Sequence, residues 1–319
     1  TDGLYALMSW RELAYLIAPR LLLIGGLLLL PLVVPGLYWL RVISIVCIYA
    51  LLALSFDFLA HYVGLVSLGG AFFVGVGGYL TALLNTELGV SPLVSIPAAG
   101  VLGGVICTTL LLPCLPLRGV YFAIVTLMYP LFLARVIEAL NILGGTDGIM
   151  GIDGVPYVWL EQYGIIVMLL LILFGLRRLV NTDLGLVMRA VKDNDQAVRA
   201  SGMNITHYKA LAVFIASSVG CLAGACLVHT YMWAGISTFA LDFSILPIAA
   251  TVIGGGGTLV GPVLGCLILV PISELLRDFG TLRIVFYSLI LLGFIVFRSD
   301  GLMIYGQRKY HQFERWTDI

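Results

Sequence analysis

Hydrophobic runs long enough to cross a membrane, separated by charges and turn residues, make up most of the chain. A helix needs roughly 20 apolar residues to cross a bilayer. The pattern predicts eight clear spans, at residues 21–40, 42–59, 64–84, 92–112, 120–140, 163–176, 210–231 and 284–297. We therefore expect an all-α, polytopic membrane protein that forms a single transmembrane domain over residues 1–319.

A further uncharged stretch, residues 243–273, is too long for a single crossing. As one helix it would measure about 46 Å, against a hydrocarbon core of roughly 30 Å. Its centre reads GGGGTLVGP from Gly254 to Pro262, which is a strong helix breaker. Two passes are therefore predicted here, giving about ten transmembrane helices, with eight full spans plus a re-entrant hairpin as the alternative.

Two polar interruptions divide the hydrophobic pattern. The run GGTDGIMGIDGVPYVW, within residues 141–162, is rich in glycine and is expected to form a loop. Residues 179–209, called the polar insert below, are the most polar stretch of the chain. Helix formers from Leu184 to Ala200, with Gly202 suited to a C-terminal cap, predict one short amphipathic helix outside the bilayer.

The distribution of positive charge indicates the orientation, because Lys and Arg concentrate in short cytoplasmic loops. With the polar insert inside and two passes over residues 243–273, thirteen of the 17 Lys and Arg fall inside and four outside. A single pass would export the basic C-terminal tail. We therefore expect both termini to be cytoplasmic, and the first apolar run to be a span rather than a cleaved signal peptide.

Composition agrees with a membrane protein, since 61% of the residues are hydrophobic, 11% are charged and the mean hydropathy is +1.09. The net charge of zero gives no indication of a nucleic acid partner. The six cysteines lie in apolar stretches without metal-ligand spacing. No G-x-x-x-x-G-K-[ST], G-x-S-x-G or H-E-x-x-H motif occurs, so we expect neither an enzyme nor a bound cofactor or metal.

The predicted helix of the polar insert carries a one-sided stripe at helical spacing. The stripe consists of Val187, Ala190, Val191, Asn194, Ala197, Val198 and Ser201. Helices that rest on lipid are usually anchored by Trp, Phe and Leu, whereas small side chains fit into a groove of a protein partner. A docking helix is favoured, and a helix on the lipid surface is the alternative.

A resemblance to a known family rests on this insert. Gln196, Ala197 and Val198, followed after three residues by Gly202, resemble the EAA-x-x-x-G coupling loop of bacterial ABC importer permeases, with Gln for Glu and Val for the second Ala. The segment GLVMRAVKDNDQAVRASGMNITHYKALAVFIASSVGCLAGA resembles the LivM-type permease of branched-chain amino acid importers. So do GLVSLGGAFFVGVGGYLTALL, GGTDGIMGIDG and IGGGGTLVGPVLG, in the family's order, over residues 42–302.

The resemblance implies a multi-pass protein of the bacterial cytoplasmic membrane and three kinds of partner. These are a LivH-type second permease, two ABC ATPase subunits that bind ATP and Mg, and an extracytoplasmic solute-binding protein. The implied substrates are branched-chain or other hydrophobic amino acids, with urea and short-chain amides as the alternative. The residues expected to couple to the ATPases are Arg189, Asp195, Gln196, Ala197, Val198, Arg199 and Gly202.

Two glycine-rich stretches are candidates for the translocation pathway. The glycines of residues 64–84 allow close helix packing, or the same span lines the pathway. Residues 254–257 form either a broken helix at the membrane midplane or a simple turn. The pathway candidates are Ser67, Gly69, Gly70, Phe73, Gly254, Gly255 and Gly256.

The ionisable residues leave a rival class open, namely a self-sufficient channel or secondary transporter with a buried charged site. Few charges fall within spans, and Asp57 and His61 are expected near an interface. His229 is expected to be a satisfied core or interface residue. Four acidic residues are predicted on the outer side, as a rim facing the binding protein or as ordinary loop charges: Asp147, Asp153, Glu161 and Asp242.

Overall fold

The computed structural model describes residues 23–276, apart from 35 and 118, and scattered positions between 279 and 305. Across these residues the chain is helical and contains no β-strand, and a single isolated bridge joins Ile149 to Ala234. The all-α prediction is confirmed. The helices of the described part are α1 (Leu23–Val33), α2 (Leu37–Asp57), α3 (Gly70–Thr86), α4 (Pro92–Leu111), α5 (Val120–Leu140), α6 (Val158–Val180), α7 (Asp183–Asp193), α8 (Asp195–Ala200), α9 (Ile205–Tyr231), α10 (Asp242–Gly254) and α11 (Val260–Leu275).

Six helical segments of the described residues are long and apolar enough to cross a membrane. They are Leu37–Val63, Pro92–Cys114, Val120–Leu140, Val158–Val180, Ile205–Tyr231 and Ile236–Gly254. The helices α1, α3 and α11 are apolar but shorter. The predicted total of about ten is therefore not confirmed, and most of the predicted last span, residues 284–297, lies outside the described residues.

Several boundaries differ from the prediction. The first two spans were expected to divide at Arg41, but α1 ends at Val33 and α2 begins at Leu37, after Gly36 with φ +105°. Arg41 lies within α2 with an exposed side chain, because a long cationic side chain can extend towards water from an apolar helix. The predicted span at residues 64–84 also starts with six non-helical residues, 64–69, so that α3 is shorter than expected.

Two long helical segments, Leu37–Val63 and Ile205–Tyr231, pack on each other at the centre of the fold. Ser55 of the first donates a hydrogen bond to the Ala216 carbonyl of the second, at 2.8 Å. Each is flanked by a pair of shorter helices: α3 and α4 pack against α9, and α10 and α11 pack against α2. Helices α3 and α10 run parallel to their long neighbour, whereas α4 and α11 run antiparallel to it.

The chain therefore contains two halves, α2–α4 and α9–α11, that repeat one arrangement in opposite orientations. The two shorter helices of each half pack on the long helix of the other half. In each half a long helix is followed by a largely irregular segment, a short helix and an antiparallel partner. These segments are residues 64–69 and residues 232–241, and the second includes a short 3-10 helix, Ile236–Phe239. Inverted repeats of this kind, with discontinuous helices, occur in membrane transporters.

Close backbone contact holds the short helices in place. A Cβ atom at Gly77 of α3 would collide with the Cys221 backbone of α9, so only glycine fits at this crossing. Small residues allow such approach in a membrane, where lipid is as apolar as the helix surface. For α3, the packing interpretation of its glycines is therefore supported.

Candidate functional site

Helices α3 and α10 begin next to each other, beside the middle of α2. The Ser244 hydroxyl accepts a hydrogen bond from the Ala71 backbone N–H at 2.9 Å. The Phe243 ring stacks on Tyr49 with ring centroids 5.6 Å apart. Tyr49 lies near the centre of Leu37–Val63. We call the meeting of these two helix ends, residues 67–71 with 243–244, the helix-start junction.

Hydroxyl groups satisfy the interrupted backbone at this junction. The Thr126 hydroxyl accepts from Leu68 N–H at 2.9 Å, and the Ser67 hydroxyl accepts from Gly69 N–H at 3.2 Å. An unpaired backbone group costs several kcal/mol in an apolar environment, so a break in a membrane helix requires such partners. The non-helical segment before α3 is thus a defined part of the fold and not a frayed helix end.

Four of the predicted pathway residues lie at or beside this junction. Ser67, Gly69 and Phe73 are buried, Gly70 is half-buried, and Phe73 packs against Gly220 of α9. The other three, Gly254, Gly255 and Gly256, do not join them.

Those three glycines lie instead at the turn between α10 and α11. We call residues 255–259 the glycine turn, and it lies at the far end of α2 beside Asp57 and Tyr62. Of the two sequence alternatives, the structure has the simple turn. Gly257 adopts φ +80°, a conformation that favours glycine.

Asp57 anchors the glycine turn. Its side chain is fully buried, and its two carboxylate oxygens accept hydrogen bonds from Gly257 N–H at 2.6 Å and Leu259 N–H at 3.1 Å. His61 Nδ1 lies 2.8 Å from the same carboxylate without the alignment of a hydrogen bond. A buried carboxylate is tolerated when such donors surround it.

Tyr62 holds the same glycine from its other side. Its hydroxyl donates to the Gly257 carbonyl at 2.6 Å, so both backbone groups of Gly257 are bound by one short stretch of chain. Asp57 is the last residue of α2, and Tyr62 lies in the π-helical turn that follows it, Phe58–Val63. Residues five apart face one side of a π-helical turn, which brings Asp57 and Tyr62 to the same partner.

The polar insert lies beside this end of α2 and differs from its predicted form. One helix was expected over residues 184–200, but Asn194 interrupts it with φ −156° and separates α7 from α8. The Asn194 side chain accepts hydrogen bonds from Gln196 N–H and Ala197 N–H, both at 3.1 Å. The prediction was wrong because Asn favours a helix N-cap over a helix interior.

The predicted stripe is divided between two surfaces. Its valines point inwards, where Val191 and Val198 pack with Ile205. The small residues Ala190, Ala197 and Ser201 are exposed. Branched side chains of the insert thus pack against Ile205, the first residue of α9, while small ones face outwards beside the exposed Leu184 and Leu186 of α7.

The predicted coupling residues fall into three groups. Gln196, Ala197, Arg199 and Gly202 are exposed. Gly202 has φ +83°, and a Cβ atom added there would meet no described atom within 4 Å beyond its chain neighbours. Val198 is buried and Asp195 is half-buried. Arg189 faces the chain itself, with its guanidinium carbon 5.3 Å from the centre of the Tyr62 ring.

A buried polar network closes the opposite end of the bundle. His229 contacts the Asp153 carbonyl through Nδ1 at 2.7 Å and the Thr81 and Ser95 hydroxyls through Nε2 at 2.9 Å. This pairing makes Nδ1 the donor and Nε2 the acceptor of a neutral ring. As expected, His229 is a buried residue whose two ring nitrogens both have hydrogen-bond partners.

Two of the four acidic residues predicted for the outer rim, Asp153 and Glu161, accept hydrogen bonds from neighbouring side chains. Asp153 accepts from the Asn85 amide at 3.3 Å, and Glu161 accepts from the Thr230 hydroxyl at 2.6 Å. Asp147 is exposed, and Asp242 is half-buried at the start of α10. At least two of the four therefore help to hold the loop and helix ends together.

Metal chemistry finds no support in the part of the chain that the structure describes, since no group of three His, Cys, Asp or Glu side chains is clustered there. All six cysteines are free thiols, and five of them are buried.

The contacts around Asp57 and Tyr62 are the part of the site that the sequence did not predict. A usable signal was present, since Asp57 is the one charge within an apolar run that ends close to His61 and Tyr62. Its partners in the glycine turn are 200 residues away in the sequence, and no spacing rule connects them.

Long apolar helices, two short helices that meet inside the bundle and a polar insert at one end define a multi-pass membrane transport subunit. The family model described as "Branched-chain amino acid transport system / permease component" matches residues 38–298. The chain belongs to this family of ABC transporter permeases and is a transport subunit rather than an enzyme.

Individual relatives agree with this assignment. The chain is 28% identical over 292 residues to the high-affinity branched-chain amino acid transport permease LivM of Salmonella typhimurium, covering 80% of this chain and 68% of the relative. It is 27% identical over 246 residues to a probable LivM of Methanocaldococcus jannaschii, covering 68% and 71%. A xylose/arabinose import permease of Sulfolobus acidocaldarius is 32% identical over 152 residues, covering 46% and 39%. No solved structure shows a significant match.

Proposed function

We propose that the chain forms one half of the translocation pathway of an ABC importer for branched-chain or other hydrophobic amino acids, and that its polar insert docks on a cytoplasmic ATPase. The partners are a LivH-type second permease, two ATPase subunits that bind ATP and Mg, and an extracytoplasmic solute-binding protein. In this arrangement both termini and the polar insert lie on the cytoplasmic side.

The division of the polar insert into two surfaces carries this proposal. Val191 and Val198 pack with Ile205 at the start of α9, while exposed Ala197 and the open surface at Gly202 leave room for a partner's groove. A helix resting on lipid would present large apolar side chains outwards. The exposed residues of α8 are polar or small instead, namely Gln196, Ala197, Arg199 and Ala200, whereas the exposed large apolar side chains of the insert lie outside α8, at Leu184, Leu186 and Met203.

Site-specific photocrosslinking tests the docking. A photoreactive residue at exposed Ala197 is expected to crosslink to the ATPase in membranes that contain the full transporter. The matched control is Leu171 of α6, which is also exposed but lies on an apolar helix. Crosslinks to the ATPase from both positions, or from neither, would contradict the proposed docking surface.

The pathway is proposed to pass beside the helix-start junction, where Ser67, Gly69, Gly70 and Phe73 lie. Irregular backbone at membrane depth occurs where it is buried in protein or lines a water-filled cavity. In this proposal α3 and α10 move apart at the junction during transport. Gly255 and Gly256 belong to the glycine turn and Gly254 is the last residue of α10, so these three are not assigned to the pathway lining.

The family and its LivM relatives support this substrate class. Its test is competition: excess leucine, isoleucine or valine should abolish uptake of labelled leucine by the reconstituted transporter. Competition by urea or acetamide, with leucine inactive, would assign the importer to amides instead. The partial match to a sugar permease makes xylose a useful further competitor.

A further inference from the structure

The polar insert is bonded to the end of α2 through two side chains of α7. Lys192 Nζ donates to the His61 carbonyl at 2.8 Å, and the Arg189 guanidinium lies over the Tyr62 ring. The Lys192 side chain also packs against Gly64, at the point where the π-helical turn ends. Displacement of α7 therefore acts directly on His61 and Tyr62.

The same two residues are bound to the glycine turn. Tyr62 donates to the Gly257 carbonyl, and the Gly256 backbone packs against the His61 ring so closely that a Cβ atom there would overlap the imidazole. Asp57 binds the N–H groups of Gly257 and Leu259. This end of α2 thus contacts the insert on one side and the α10–α11 hairpin on the other.

Helix α10 extends this contact to the helix-start junction. It has 13 residues and a length of about 20 Å. Its last residue adjoins the glycine turn, and its third residue, Ser244, binds the start of α3. Thr251 and Phe243 contact Ala53 and Tyr49 of α2 along the way, so α10 and α2 form one packed unit.

Space for movement exists beside this unit. A surface cleft of about 320 Å³ lies between the α7–α8 connection, the segment Val63–Leu65 and Gly119 before α5. Because no side chain fills this cleft, the α7–α8 connection has room to move relative to the bundle on this side.

We propose that the glycine turn is the link through which the polar insert controls the helix-start junction, with Tyr62 and Asp57 as positioning residues. Movement of α7 is passed through His61 and Tyr62 to Gly257, and through α10 to Ser244 and the start of α3. This inference rests on the proposed docking of the insert on an ATPase, and it adds the route inside the chain.

The test uses the complete reconstituted importer and measures solute transported per ATP hydrolysed. Tyr62→Phe removes one hydroxyl and keeps the ring beneath Arg189. We expect this variant to lower the ratio on the order of fivefold, as one lost hydrogen bond in the coupling route would. The matched control is Tyr129→Phe, which removes a hydroxyl that donates to the Leu110 carbonyl at 2.7 Å, away from the link. It should leave the ratio unchanged.

An unchanged ratio in Tyr62→Phe would overturn the link. If Tyr62→Phe fails to assemble with its partners, Arg189→Gln replaces it, because Arg189 is exposed and its loss does not disturb the core. The same decrease is then expected, and a normal ratio again overturns the proposal. Ala197→Arg distinguishes failure of the docking from failure of the link. A normal ratio of solute to ATP in Ala197→Arg contradicts the docking itself. A lowered ratio in Ala197→Arg together with a normal ratio in Tyr62→Phe contradicts only the link.

Discussion

The Ser244 hydroxyl and the Ala71 backbone N–H, 2.9 Å apart, join the first turns of two short helices that run in opposite directions. This contact places the ends of both helices inside the bundle rather than at its surface. A side chain from one half of the inverted arrangement thereby binds a free backbone N–H at the interruption in the other half.

Removal of the Ser244 hydroxyl should destabilise the fold. In Ser244→Ala the Ala71 N–H loses its partner in a buried position, which costs about 1–3 kcal/mol. We expect a lower midpoint of thermal unfolding in detergent. The matched control is Ser218→Ala, since the buried Ser218 hydroxyl has no hydrogen-bond partner among the described residues. Equal loss of stability in both variants would contradict the capping role of Ser244.

The crossing of α3 and α9 should not accept a larger residue than glycine. Gly77→Ala places a methyl group against the Cys221 backbone, and such overpacking costs about 1–3 kcal/mol. Gly164→Ala in α6 is the control, because no described atom lies within 4 Å of the added carbon. Thermal unfolding should distinguish them, with Gly77→Ala lowered and Gly164→Ala unchanged or raised. The reverse order would disprove the close crossing.

Asn85 should hold the loop between α5 and α6. Its side-chain oxygen accepts from Asp153 N–H at 2.8 Å, and its amide donates to the Val90 carbonyl at 2.9 Å. Asn85→Leu leaves these backbone groups without partners, so we expect faster proteolytic cleavage within residues 141–157. Asn181→Leu, which loses a single exposed bond to the Arg177 carbonyl, is the control. Unchanged cleavage in Asn85→Leu would exclude this anchoring role.

The sequence predicted the features that depend on local composition. The glycine run at residues 254–257 correctly indicated an interruption, because glycine lowers the helix propensity of any segment that contains it. The polarity of residues 179–209 correctly indicated a break between two apolar helices, but its predicted end was wrong, because α9 already begins at Ile205. The resemblance of its residues 196–202 to a coupling loop led to the family that the comparison identifies.

Features that depend on partners distant in sequence could not be predicted. Residues 64–84 are uncharged and mostly apolar, and their glycines also suit helix packing, so the sequence does not separate the irregular residues 64–69 from α3. The hydrogen bonds at this break come from Thr126 and Ser244, which are distant in sequence. The break at Asn194 was missed because the apolar spacing continues through it. The buried position of Asp57 depends on the glycine turn, 200 residues further along the chain.

A charge on the exposed face of α8 should uncouple transport from ATP hydrolysis. Ala197→Arg adds a large cation to the surface that we assign to the ATPase groove, whereas Ala197→Ser keeps a small side chain. We expect Ala197→Arg to insert into the membrane normally and lose at least about tenfold in ATP-driven uptake, corresponding to roughly 1.4 kcal/mol of coupling. Ala197→Ser should transport normally. Normal uptake by Ala197→Arg would exclude Ala197 from the docking surface.

The central claim is that this chain moves solute only as a subunit driven by a separate ATPase. Leucine uptake into liposomes tests it most directly, with the purified chain alone compared with the chain assembled with its second permease, ATPases and binding protein. We predict ATP-dependent, concentrative uptake by the full assembly and no selective flux through the chain alone. Selective or concentrative flux through the chain alone would contradict the account and identify a self-sufficient channel or secondary transporter.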